Sequence, residues 1–146
     1  MPRTSKTELV TTRVRTVRKT SAKPKATLAP KIDGALGLAH IALDSVEGKK
    51  ASQIVLLDVQ AISMFTDFFL LCNGESERQI KAIAEGVDDA LAKAGKKRRG
   101  REGTAESGWI LLDYGDVTIH VFAREKRDYV QLEELWKDTK TVVKIQ

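Results

Sequence analysis

The chain has 146 residues, 42% of them hydrophobic, a single cysteine (Cys72) and a net charge of +5. That length suits one domain with its own core, and one cysteine excludes an internal disulfide framework. No apolar run approaches the roughly 18 residues of a membrane-spanning helix, and the first residues lack the apolar stretch of a secretory signal, so a soluble protein in a reducing compartment is expected.

Charge is unevenly spread. Residues 1–31 carry nine Lys or Arg and one acid, Glu8, whereas residues 32–146 carry sixteen bases and nineteen acids. The first segment is rich in Ser, Thr and Lys, holds Pro2, Pro24 and Pro30, and has few large apolar side chains. It cannot bury enough surface to offset its ordering entropy, so residues 1–32 are expected to form a disordered basic extension. Three roles suit it, in this order: a solvated tail, a phosphate-contacting arm on RNA, or an organellar transit peptide, which Arg13, Arg15 and Arg18 among Thr and Ser would suit.

Beyond the tail, Leu36, Ala39, His40, Leu43 and Val46 recur at helical spacing and predict an amphipathic helix ending near Gly48. Two β-rich runs follow, near residues 53–59 and 67–73. Ser76 and Gln79 have the spacing of a capping box, Ile80, Ile83, Ala84, Val87 and Leu91 form one stripe, and Gly95 supplies a left-handed stop, which predicts a second helix. Strands are expected near residues 97–102, 109–114 and 117–123, then a last helix with Tyr129, Leu132, Leu135 and Trp136 on one side. Residues 139–146 read as a short tail, giving a domain over 33–138. The order α-β-β-α-β-β-β-α implies an α+β (α/β) fold, a mixed sheet of about five strands with helices packed on it.

Chemistry-bearing residues are sparse. Cys72 lies in an apolar strand, His40 on an apolar helix stripe and His120 within a strand, so structural roles suit all three better than a nucleophile and its base. One Cys and two His are too few and too scattered for zinc. No phosphate-binding Gly-rich loop or dinucleotide fingerprint occurs, and no cofactor is implied. The dense run Lys96, Lys97, Arg98, Arg99 with Arg101 reads as a solvated strand edge or as a contact to RNA phosphates.

The most informative stretch is Gly108 to Phe122 (GWILLDYGDVTIHVF), two apolar strands about a Tyr114-Gly115-Asp116 turn. Alternation sends Trp109, Leu111 and Asp113 to one face and Ile110, Leu112 and Tyr114 to the other. Trp109 either fills the core or anchors a partner, since exposed Trp and Tyr concentrate association energy. Asp113 and Asp116, three apart across a turn, suit turn hydrogen bonds better than a shared metal.

This run resembles the signature of the Iojap family, the ribosomal silencing factors, and the likeness extends in order through the rest of the domain. Lys50 to Val59, Ser63 to Leu71 (SMFTDFFLL), Ser76 to Ala84, Arg101-Glu102-Gly103 and Leu132-Glu133-Glu134-Leu135-Trp136 all fit. The resemblance implies a domain related in shape to nucleotidyltransferases. It lacks their chemistry, because Gly74-Glu75-Ser76 only loosely resembles a Gly-Ser phosphate turn and no Asp-x-Asp pair occurs. What the resemblance implies instead is steric. Family members attach to the large ribosomal subunit, mainly through its protein numbered fourteen, on the face that meets the small subunit, and block joining. By position, Trp109 and Tyr114 match family contact residues, with Leu111, Asp113 and Asp116 beside them. Where the family commonly has Pro-Leu, this chain has Arg98-Arg99, which adds an expected ribosomal RNA contact. Relatives also form dimers when free and occur in organelles as well as bacteria. The expected setting is bacterial cytosol, with mitochondrion or chloroplast following if residues 1–31 are a transit peptide.

Overall fold

The computed structural model describes residues 34–135, 137 and 139–146, the side chains of 133 and 135 excepted. The expected disordered tail lies outside these residues, as does the side of the last helix formed by Leu135 and Trp136. The described elements are α1 (Gly34–Gly48), β1 (Ser52–Asp58), β2 (Phe68–Gly74), α2 (Glu77–Lys93), β3 (Gly100–Thr104), β4 (Trp109–Asp113), β5 (Val117–Ala123), α3 (Arg124–Val130), α4 (Leu132–Leu135) and β6 (Lys140–Ile145). The strands form one mixed sheet in the order β3-β4-β5-β2-β1-β6, in which only β2 and β5 run parallel.

Register decides which side chains share a face. Ile110, Val121 and Cys72 lie side by side in β4, β5 and β2, and Leu112, Ile119, Leu70 and Leu56 form the next row. All are buried, as are Leu38, Ala39, Ala42, Leu43 and Val46 of α1 and Ile80, Ile83, Ala84, Val87 and Leu91 of α2. These residues form the main core. The opposite face carries Trp109, Phe122 and Asn73 in one row and Leu111, His120, Leu71 and Val55 in the next. Here Val55, Leu57, Val59, Leu71 and Phe122 are buried, and Phe69, Trp109, Val130 and Leu132 pack against them while staying partly exposed.

Three expectations are corrected. Lys140–Ile145 is no loose tail but a sixth strand, paired antiparallel with β1. Its Lys-Thr-Val-Val-Lys-Ile pattern is polar enough to read as a tail because an edge strand has little surface to bury. His40 is exposed, because the α1 stripe runs through Leu38, Ala39, Ala42 and Leu43 instead. The last helix is broken at Gln131, which adopts a left-handed φ of 48°, and Tyr129 is 84% exposed with the Lys126 ammonium over its ring.

At β3, Gly103 takes φ 85°, and a Cβ there would overlap the Trp109 carbonyl oxygen. Gly103→Ala is therefore expected to destabilise the domain by about 2 kcal/mol, from left-handed strain and displacement of the edge strand. Denaturant unfolding measures this, and an unchanged midpoint would contradict the assigned backbone.

Candidate functional site

The site is built on β4 and its hairpin to β5. Trp109 opens β4 after Gly108, whose φ of 83° sets the turn from β3. The indole stacks on Phe122, its cross-strand neighbour, with centroids 5.1 Å apart, and its Nε1 donates to His120 Nδ1 at 3.1 Å. His120 in turn meets Phe69 edge-on at 5.1 Å. One side of the indole is thus fixed by an aromatic stack and a hydrogen bond, and the side chain stays partly exposed. Trp109 is neither sealed in the core nor free to rotate.

His120 is buried, 4% exposed, and burial lowers its pKa to about 4. Because Nδ1 accepts from the indole, the neutral ring carries its proton on Nε2, which has no partner. A buried unpaired donor costs roughly 1–3 kcal/mol, a penalty offset here by packing and by the ordered tryptophan.

Leu111 follows on the same face, half-buried between Glu102 and His120. Asp113 comes next, roughly 13 Å along the strand from Trp109. Its Oδ1 accepts the Gly115 N–H at 2.8 Å, so its carboxylate shapes the turn. Asp116 is exposed, and its carbonyl accepts from the backbone N–H groups of Asp67 and Phe68, fastening the β1–β2 loop to this hairpin.

Tyr114 departs from expectation. It is 1% exposed, points toward the helices, and donates its hydroxyl to the Asp88 carboxylate on α2. Burial, and then that hydrogen bond, raise its pKa above the ordinary tyrosine value. The strand alternation that exposes Trp109 is what buries Tyr114, so its contact role is withdrawn.

The basic run is only partly assembled as a patch. Arg98 is paired with Asp88, and Arg99 lies against Gly115 while its N–H donates to the Asp113 carbonyl at 2.7 Å. Lys97, Arg99 and Arg101 are exposed and Lys96 is half-buried. Arg101 pairs with Leu112, which places it on the face opposite Trp109.

Groups that could carry chemistry are otherwise engaged. Burial pushes the Cys72 thiol up to about 12, so it is not a thiolate near neutrality. At the start of α2, Ser76 Oγ accepts from the Gln79 N–H, and Gln79 Oε1 accepts from the Glu75 N–H. Gln79 Nε2 also donates to the Lys49 and Lys50 carbonyls. The loosely phosphate-like turn is thereby closed by its own side chains. Among the described residues, no group of three or more His, Cys, Asp or Glu is arranged to hold a metal ion, and no helix is long and apolar enough to cross a membrane.

Sequence reasoning singled out Trp109 and missed its partners. His120 and Phe122 reach it only once the β4–β5 register is set, for which the short turn between two apolar runs was the available signal, and Phe69 only through the parallel pairing of β2 with β5.

Comparison with known proteins places this architecture. Residues 33–146 match the family described as ribosomal silencing factor during starvation. The ribosomal silencing factor of Halalkalibacterium halodurans is 42% identical over 105 residues, covering 72% of this chain and 90% of the relative. The chloroplastic Iojap protein of Arabidopsis thaliana is 36% identical over 103 residues, covering 70% of this chain and 41% of that protein. A crystal structure from Bacillus halodurans superposes with a TM-score of 0.66 at 40% identity, covering 74% of this chain and 98% of the other. One from Chromobacterium violaceum gives 0.69 at 33% identity, covering 70% and 86%. A six-stranded mixed sheet with a family match across every described residue establishes that the chain belongs to the ribosomal silencing factor family.

Proposed function

We propose that this protein represses translation by docking on the large ribosomal subunit at the face that meets the small subunit, so that the two cannot join. The relatives named ribosomal silencing factors support the setting. The observation that carries the reading is Trp109: a partly exposed aromatic on the sheet face away from α1 and α2, oriented by Phe122 and His120 before any partner arrives. A preoriented indole loses little conformational freedom on binding, which is the property of an interface anchor. Leu111 extends the apolar area, Asp116 offers an exposed charge to a basic partner such as the subunit's protein numbered fourteen, and Asp113 holds the turn that presents it. The action is steric, and it requires no catalytic group and no cofactor. The bacterial relatives support a bacterial cytosolic setting, and the chloroplastic and mitochondrial ones support an organelle if residues 1–31 are a transit peptide.

The test is co-sedimentation of purified protein with purified large subunits, followed by addition of small subunits. Saturating protein is expected to prevent joined ribosomes from forming, and normal joining would overturn the proposal. An RNA-binding adaptor working through Lys97, Arg99, Arg101 and residues 1–32 would behave oppositely: deleting the tail would abolish binding and Trp109→Ala would spare it. A dimer that uses the same partly exposed face would compete with docking and weaken it as protein concentration rises.

A further inference from the structure

We infer that the β1–β2 loop is a second anchor, whose tip of Met64 and Phe65 inserts into an apolar depression on a basic protein surface of the large subunit. The inference rests on the docking reading above and extends it to a segment that lies away from β4.

Met64 is 94% and Phe65 88% exposed, with Ile62 beside them at 53%. Single exposed apolar residues are ordinary, but three within four positions at one loop tip form a patch. The loop that carries them is well tied. The Val59 carbonyl accepts from the Ile62 and Ser63 N–H groups, at 3.1 and 2.9 Å. Ser63 Oγ accepts from the Phe65 and Thr66 N–H groups, at 3.1 and 3.2 Å. Thr66 is buried, donates to the Phe68 carbonyl at 3.3 Å and accepts from Thr118 Oγ1 at 3.2 Å. The tip is therefore held outward by its own base, and binding it requires little ordering.

Charge selects the partner. The Val59 N–H donates to the Asp67 carbonyl and the Asp67 N–H to the Asp116 carbonyl, which gathers Asp58, Asp67 and Asp116 at this end of the sheet. The nearby bases are Lys140, cross-strand from Asp58, and Arg99 against Gly115. Three carboxylates against two bases disfavour RNA phosphates, an anionic lipid surface and the equally acidic tip of a second copy. They favour a basic protein surface. The bonds from the Asp67 and Phe68 N–H groups to the Asp116 carbonyl make the loop continuous with the Asp113 to Asp116 turn, at the end of β4 opposite Trp109.

The experiment uses the full chain and purified large subunits. The double variant Met64→Ser, Phe65→Ser should keep the wild-type melting behaviour and lose about tenfold or more in co-sedimentation affinity. A benzophenone photocrosslinker at position 65 should attach to a basic ribosomal protein. Undiminished affinity of the double variant, with Trp109→Ala still weakened, overturns this inference and leaves the docking reading standing. Crosslinks confined to ribosomal RNA or to a second copy overturn it regardless of affinity. Failure of the wild-type protein to sediment with subunits removes both readings together.

Discussion

Trp109→Ala is expected to weaken binding to purified large subunits by about 30-fold or more and to restore subunit joining at protein concentrations that block it for the wild type. Loss of a central aromatic anchor costs about 2 kcal/mol or more, which sets the fold-change. The fold should survive, because Trp109 begins its strand, is only partly buried, and leaves the helix-side core untouched. The truncation does remove the stack on Phe122 and leaves His120 Nδ1 without its donor, so some stability is lost as well. Trp109→Phe separates the two effects. It retains an aromatic face for Phe122 and for the partner but cannot hydrogen-bond His120, so its affinity should fall between those of wild type and the alanine variant. Co-sedimentation and a thermal melt on the same samples measure both quantities. Unchanged affinity for the alanine variant would remove Trp109 from the interface.

Acidification is expected to destabilise the protein through His120. In the unfolded chain the imidazole takes up its proton near the ordinary value of 6.5, whereas burial holds the folded form neutral down to about 4. Between those values the unfolded state binds a proton that the folded state refuses, so stability falls as pH falls, by on the order of 3 kcal/mol at pH 4 relative to pH 7. Protonation would also turn Nδ1 from acceptor to donor and break its bond to the indole. His120→Gln offers an amide oxygen in place of Nδ1 and does not titrate. Denaturant unfolding from pH 7 to pH 4 should therefore show a shallower decline for this variant than for wild type. Parallel curves would mean that His120 does not carry the effect, since the carboxylates shared by both proteins would then account for all of it.

Helix α2 was legible because its signals are local: Ser76 caps Gln79, and the stripe from Ile80 to Leu91 is the buried one. Gln79 nevertheless reaches the Glu75 N–H and the α1–β1 turn rather than Ser76, a detail set by tertiary contact. Alternation along β4 correctly separated Trp109 from Tyr114, and the family likeness then assigned Tyr114 a contact role that its own strand parity contradicts. The long-range features were not legible. Strand β6 carries a mostly exposed pattern and declares itself only through β1, and the basic run reads as one patch until Asp88 claims Arg98 and strand pairing turns Arg101 away. Met64 and Phe65 lie just ahead of the β-rich run read at 67–73, and nothing in their residue types marks them as exposed.

The sheet closes on a pairing between Ile54 and Ile145, across most of the domain's sequence. Until the ribosome has released residues 140–145, β1 has a bare outer rim of backbone donors and acceptors, the kind of rim that recruits other chains. The sheet is therefore incomplete until its last strand pairs, and a chain that has not yet placed residues 140–145 against β1 passes through a sticky, half-finished stage. Clipping that removes those few residues is expected to yield aggregation-prone protein, which a sedimentation assay of the clipped chain measures.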